Sequence, residues 1–187
     1  DEELMLAYQN GEATAMSEIL RRYKNPIYHF TLRLCGNSSE AEDFAQEVFL
    51  RLHQFKDTYR PTGKFSTWLF SIAHNLVVSR MRRLKWWALW PRKNDESQEL
   101  VEFQSPDPSP KDIATGNEIS ELVRISLQSL PFLQKEALIL REYENLNYEE
   151  ISKILKRSLG AVKTLIHRAR QNLKVKLLPD LEEFKEA

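Results

Sequence analysis

Through the first ninety residues of this chain, apolar side chains recur at intervals of three and four, and no stretch alternates in strict period two. That spacing gathers them on one stripe of an α-helix and would scatter them over both faces of a strand, so an all-α fold is predicted. Ala15, Met16, Ile19, Leu20 and Tyr23 form a first stripe. Pro26 suits the first turn of a following helix that carries Ile27, Phe30 and Leu34 and stops at Gly36. Ser39 and Glu42 have capping-box spacing ahead of Phe44, Ala45, Val48, Phe49 and Leu52. After the turn-like Arg60-Pro61-Thr62-Gly63, another helix is expected to bury Phe65, Trp68, Leu69, Ile72, Ala73 and Leu76.

Residues 91–116 break the pattern. Pro91, Pro106, Pro108, Pro110 and Gly116 sit among Ser, Asp and Glu with little periodicity, the composition of an extended linker. The chain therefore divides into an N-terminal module (1–90), an acidic proline-rich linker (91–116) and a C-terminal module (117–187). In the last of these, Ile119, Leu122, Val123 and Leu130 mark one helix, and Leu133, Ala137, Leu138 and Arg141 mark a second beyond Pro131.

The formal net charge is zero, but its distribution along the chain is not even. Residues 61–93 hold seven bases and no acid, and so do residues 156–176; the compensating acids lie in 1–60, 94–155 and 177–187. Two purely basic blocks in a neutral chain read as two separate phosphate-facing surfaces.

The C-terminal basic block has a distinct architecture. Asn147 and Glu150 have cap spacing; Ile151, Ile154 and Leu155 give a short apolar face. Ser158 to Gly160 read as a tight turn, followed by a helix to about Leu177. This is a helix-turn-helix layout. In the last helix Val162, Ile166, Ala169 and Leu173 form one stripe, and Lys163, His167, Arg170 and Lys174 the opposite one. Such a helix fits the major groove of duplex DNA, with Lys163, Thr164, His167 and Arg168 placed for base edges. A merely solvated helix face interleaves both charge signs, and this one carries no acid.

In the other basic block, rings alternate with cations: Phe65, Trp68 and Phe70, then Trp86, Trp87 and Trp90. Aromatic faces stack on bases that have left a duplex while Arg and Lys hold the backbone, so this block suits single strands. Asn75 adds a donor and acceptor pair able to read a base edge. Trp68 also fits the core stripe and is expected to pack there. The three later tryptophans default to packing.

The enzyme reading is poor. His29, His53, His74 and His167 lack paired metal-ligand spacing, and no Walker loop, nucleophile elbow or glycine-rich phosphate fingerprint occurs among five glycines. No metal, cofactor or catalytic residue is predicted. Metal-dependent nuclease chemistry would need carboxylates in a basic cleft, and both basic blocks lack them. The lone Cys35 has no disulfide partner and points to a reducing compartment, so a cytoplasmic location is expected. Neither a signal peptide nor an apolar run of about 20 residues is visible, so no membrane insertion is expected.

Three segments together, Asp43-Phe44-Ala45-Gln46-Glu47-Val48-Phe49-Leu50-Arg51, Phe65-Ser66-Thr67-Trp68-Leu69-Phe70-Ser71-Ile72-Ala73-His74-Asn75, and Tyr148-Glu149-Glu150-Ile151 through Arg168-Ala169-Arg170, resemble the bacterial sigma-70 family. The order, the linker and the coverage of nearly the whole chain look like its extracytoplasmic-function group, which keeps two domains of the larger sigma factors.

The resemblance implies a promoter-specificity factor with no catalysis of its own. Asp43, Gln46, Glu47 and Arg51 would dock on core RNA polymerase. Phe65, Ser66, Ile72, Asn75, Arg80, Arg82, Arg83 and Lys85 would melt and hold the minus-10 element as single strand, with a flipped base near Phe65, Ile72 and Asn75. Lys163, Thr164, His167, Arg168, Arg170 and Lys174 would read the minus-35 element as duplex. The acidic linker would thread toward the RNA-exit path, and an anti-sigma partner would hold the protein inactive.

Three features depart from the family pattern. Lys156 stands where Gly is frequent and is expected to need a left-handed backbone; Ala161 follows Gly160 where Thr or Ser is usual; Trp86, Trp87 and Trp90 are additional. The rival reading is a stand-alone helix-turn-helix regulator whose N-terminal helices sense a ligand or dimerise, which leaves the aromatic basic helix without a role.

Overall fold

The computed structural model describes the backbone of residues 1–89 and 118–186 and the side chains of 1–83 and 121–179. The helices run in the order α1 (Glu2–Gln9), α2 (Ala13–Cys35), α3 (Ser38–Phe55), a 3-10 turn at Lys56–Thr58, α4 (Phe65–Leu89), α5 (Glu118–Gln128), α6 (Phe132–Glu142), α7 (Tyr148–Leu155) and α8 (Leu159–Glu186). Among the described residues there is no strand, and the all-helical expectation holds. The linker segment 91–116, the side chain of Lys85 and the rings of Trp86, Trp87 and Trp90 lie outside the described residues.

In the N-terminal module α2 packs on α3, and α3 on α4. Ile19, Ile27, Phe30 and Leu34 meet Ala45, Val48 and Leu52 and then Leu69, Ala73 and Leu76, all buried. Pro26 does not start a helix. It lies inside α2, because the buried register runs unbroken from Ile19 to Ile27 and packing holds both halves in line despite the missing donor. The α3 cap is Asn37 instead of Ser39: its Oδ1 accepts from the Glu40 N–H at 3.0 Å, so the helix starts two residues earlier than expected.

Helix α1 was not foreseen. The Glu2 carboxylate accepts from the Phe65 N–H at 2.7 Å and so caps the first turn of α4. That backbone bond holds the Glu2 carboxyl below its ordinary value.

The C-terminal module follows its expected layout closely. Asn147 Oδ1 accepts from the Glu150 N–H at 2.9 Å and Glu150 Oε2 from the Asn147 N–H at 2.8 Å, a reciprocal cap worth about 1 kcal/mol to α7. Lys156 ends α7 with φ 53° and ψ 46°, the left-handed conformation expected for it. Ser158 Oγ accepts from the Ala161 N–H at 3.2 Å, so α8 begins at Leu159 and Gly160 belongs to its first turn. α8 then continues past Leu177, through Pro179, to Glu186. α5 stops at Gln128, and Leu130 is buried beyond its end.

The two modules pack against one another, α2 on α5 and α6, and α4 on α7, and their buried apolar residues join in one cluster.

Candidate nucleic-acid interface

The α8 helix presents two opposed faces. Val162, Ile166 and Ala169 are wholly buried on α6 and α7, while Lys163, Thr164, His167, Arg168, Arg170 and Lys174 are all exposed. The predicted duplex-facing residues therefore share one open surface. Arg170 is partly committed: its guanidinium bonds Glu142 Oε1 at 2.5 Å, which holds the Arg170 charge more firmly. Thr164 Oγ1 donates back to the Gly160 carbonyl at 2.9 Å, which orients its methyl and hydroxyl at the start of the helix. Lys163, His167, Arg168 and Lys174 project from a rigid scaffold with no ion pair among the described residues.

On α4 the expected single-strand residues separate. Asn75 and Arg82, seven apart, lie on one exposed face. Arg80 and Arg83 are also exposed but turn toward α3, where they line an open groove with Glu40, Asp43, Phe44, Glu47, Arg51 and Leu76. Ser66 is half-buried and Ile72 nearly buried. Phe65 has no exposed surface: its ring packs edge-on against Tyr23 at 5.2 Å and Tyr59 at 5.9 Å. Trp68 joins that cluster, 5.1 Å from Tyr59, in accord with its place on the core stripe. Phe65 and Ile72 thus support the surface from beneath in this arrangement.

On α3, Asp43 and Gln46 are exposed, and Glu47 bonds Arg51 at 2.9 Å along the helix. Leu50 and Phe55 project from the same helix with 57% and 46% exposure. An exposed leucine and phenylalanine thus stand beside a row of acids on one helix. Phe44, expected on the core stripe, is half-buried and lines the groove; Glu40 beside it has no role in the sequence reading, and its spacing of three from Asp43 was the available signal.

A third set of polar residues lies between the modules. Lys135 and Glu136 are wholly buried, and His74 nearly so. His74 Nδ1 is 2.7 Å from Glu136 Oε1, and Lys135 Nζ donates to the Leu34 carbonyl at 2.7 Å and to Gln128 Oε1 at 2.8 Å. At the edges, Lys64 pairs with Glu150 at 2.8 Å and Lys156 Nζ reaches Asn75 Oδ1 at 3.4 Å. Lys135 and Glu136 fall on the stripe of Phe132 and Ile139, so the helical spacing marked them, but charge argued against burial. Among the described residues no cluster of His, Cys, Asp or Glu is arranged to hold a metal, and no helix is long and apolar enough to cross a membrane.

Comparison with known proteins adds to this geometry. Residues 19–87 match the family "Sigma-70 region 2" and residues 120–173 the family "Sigma-70, region 4". The chain is 33% identical over 172 residues to the ECF RNA polymerase sigma factor SigW of Bacillus subtilis, covering 90% of this chain and 92% of that protein. It is 32% identical over 193 residues to the RNA polymerase sigma-H factor of Pseudomonas aeruginosa, covering 98% and 96%. Its fold is similar to that of CnrH in complex with the cytosolic domain of CnrY, with a TM-score of 0.71 at 20% identity over 96% of this chain and 98% of that one. With two family regions in their expected order and relatives of this identity along almost the full length, the chain belongs to the sigma-70 family of RNA polymerase sigma factors, in its ECF group.

Proposed function

We propose that this protein directs initiation by core RNA polymerase in the cytoplasm, using three surfaces in division of labour. Asp43, Gln46, Glu47 and Arg51 on α3, flanked by Leu50, dock on the polymerase. Asn75 and Arg82 on α4, with Arg80, Arg83, Lys85 and Ser66 beside them and Phe65 and Ile72 beneath, engage the minus-10 strand. Lys163, Thr164, His167, Arg168, Arg170 and Lys174 on α8 engage the minus-35 duplex. The protein makes and breaks no bond itself; binding energy for unpaired bases offsets the cost of opening the duplex.

The observation that carries this reading is the part of α8 from Leu159 to Lys176: a buried stripe opposite an exposed face with no acid, packed on a capped α7. Control by an anti-sigma protein accords with the relatives of this fold, since CnrH was solved in complex with the cytosolic domain of CnrY, and the sigma factor RpoE of Bartonella quintana in complex with the anti-sigma factor NepR (TM-score 0.67, 22% identity, 86% of this chain and 95% of that one).

Run-off transcription from a promoter library, with core polymerase in the presence and absence of this protein, tests the proposal. Discrete new starts that vanish with Asn75→Ala or Lys163→Ala are expected. No new starts, together with no binding to core polymerase, would leave the stand-alone regulator as the better reading.

A further inference from the structure

Helix α1 touches both ends of one exposed loop. Its last residue, Gln9, donates from Nε2 to the carbonyl of Lys56 and, at 3.1 Å, to that of Tyr59, where the chain leaves α3. Its first residue, Glu2, accepts from the Phe65 N–H at 2.7 Å, where the chain enters α4. Between these points Arg60, Pro61, Thr62, Gly63 and Lys64 are all exposed, while Tyr59 and Phe65 on either side are buried and meet edge-on at 5.9 Å. One short helix thus holds both stems of the loop, across 47 to 63 positions of sequence.

The loop's own bonds are short-range. The Thr62 N–H donates to the Arg60 carbonyl at 2.8 Å, and the Arg60 guanidinium to the carbonyls of Asp57 and Tyr59. These shape the loop; the bonds from α1 fix where it sits. At the α4 stem the first N–H groups of the helix find no acceptor within it, and a carboxylate is the group that the positive end of a helix favours. α1 does not need Glu2 and Gln9 to stay in place, because Met5 is wholly buried and Leu4 and Tyr8 pack on the same core. Both Glu2 and Gln9 are only half-buried.

The loop leads into the strand-facing side of α4. Lys64, Trp68, Ser71 and Asn75 recur at four, three and four, so the last loop residue continues the stripe that carries Asn75 and Arg82. The Trp68 N–H reaches back to the Lys64 carbonyl at 3.4 Å, which makes Lys64 the residue that opens the helix. A displaced loop therefore carries the first turn of that face with it. Receiving a strand on a surface already held costs less ordering entropy than fixing the surface at the moment of binding.

We propose that Glu2 and Gln9 are positioning residues for minus-10 recognition: α1 splints the loop of residues 60–64 at both stems and so presets the entry of α4, on which the unpaired strand is received. This rests on the assignment of the minus-10 strand to α4.

The test uses the full chain, alone and in holoenzyme with core polymerase. Glu2→Ala with Gln9→Ala removes both ties, whereas Glu2→Gln keeps an accepting oxygen at Phe65 without the charge. Hydrogen exchange over residues 59–67 of the free chain reports the loop. Fluorescence anisotropy of the holoenzyme on a fork promoter with an unpaired minus-10 strand, drawn from the run-off starts, reports recognition, with a minus-35 duplex as internal reference. The double alanine variant is expected to exchange about tenfold faster at those amides and to lose about tenfold in affinity for the fork, as the loss of such bonds allows. It should also discriminate less between matched and altered minus-10 bases, while its binding to core polymerase and to the minus-35 duplex stays at the wild-type level. Glu2→Gln should behave as the wild type throughout. Unchanged exchange in the double variant would overturn the splint. Faster exchange with fork affinity and base preference intact, or an equal loss on fork and minus-35 duplex, would overturn the positioning role and leave α1 a support of the fold alone. Glu2→Gln as impaired as the double variant would overturn the hydrogen bond as its basis. If the double variant loses its helical circular dichroism, Glu2→Ala and Gln9→Ala singly decide. If the wild-type holoenzyme does not prefer the fork to a scrambled one, the minus-10 assignment fails and the proposal with it, whereas exchange still judges whether α1 holds the loop.

Discussion

His74 on α4 and Glu136 on α6 meet across the seam between the two modules, with Nδ1 2.7 Å from Oε1 and the second carboxylate oxygen, Oε2, buried without a partner. The pair is asymmetric: the histidine retains a little exposure, whereas the glutamate has none. Removing the two partners therefore has unequal consequences. His74→Ala strands a buried carboxylate and should cost the closed arrangement about 3 kcal/mol, whereas Glu136→Leu removes the orphaned oxygen with the charge and should be close to neutral. Hydrogen exchange of the α6 amides checks this, quickening strongly in the first variant and little in the second.

Glu144 supplies a pH dependence. Burial raises its carboxyl from 4.5 to about 7, against a smaller opposing pull from Arg33. The folded chain thus holds a proton that the unfolded chain releases between those two values. The stability this contributes is fully present below about 4.5 and is lost as pH rises through about 7. Allowing for the partial exposure of Glu144, the loss is on the order of 1–2 kcal/mol. Urea midpoints measured from pH 4.5 to 7.5 should fall more steeply for the wild type than for Glu144→Gln, and parallel curves would count against this assignment.

The α3 surface is tested by charge reversal. Among the described residues, Asp43→Arg with Glu47→Arg breaks one ion pair, the partly exposed Glu47–Arg51, so thermal stability should change by less than about 1 kcal/mol. Affinity for core polymerase should fall by tenfold or more, since like charges set against one another at an interface cost several kcal/mol. Surface plasmon resonance with immobilised core polymerase separates the two effects.

Two lysines on α8 should behave differently with DNA. Lys163 lies near the start of the helix, where base edges are read; its replacement by Ala should cost about 1–3 kcal/mol on the preferred minus-35 sequence and little on others. Lys174 lies three turns on, where phosphates are met. Lys174→Ala should weaken all sequences alike and lower the slope of log affinity against log salt by about 1. Fluorescence anisotropy of the holoenzyme on matched and scrambled promoters at several salt concentrations distinguishes these outcomes.

Local order was written into the residues themselves. Helical periodicity, the Asn147–Glu150 box, the left-handed Lys156 and the opposed faces of α8 all follow from interactions within four residues of one another, which spacing alone reveals. Where the sequence misled, a distant partner had overridden a local signal. α2 passes through Pro26 because its buried stripe continues on α3, and α1 is held by its packing on α2, by buried Met5 and by the bond of Glu2 to the first turn of a helix 63 residues away. The expected single-strand set divided for the same reason: spacing puts Phe65, Ile72 and Asn75 on one helix, but only packing against Tyr23 and Tyr59 decides that Phe65 lies beneath the surface and Asn75 upon it. The seam is the fullest case. Charge alone argues against burial of Lys135 and Glu136, and their burial depends on the carbonyl of Leu34 and on His74, which the chain brings near only by folding. Residues close in sequence determined the helices and the acid-free exposed face of α8; contacts between residues sixty to a hundred positions apart determined which of the remaining polar groups are surface and which are buried between the modules.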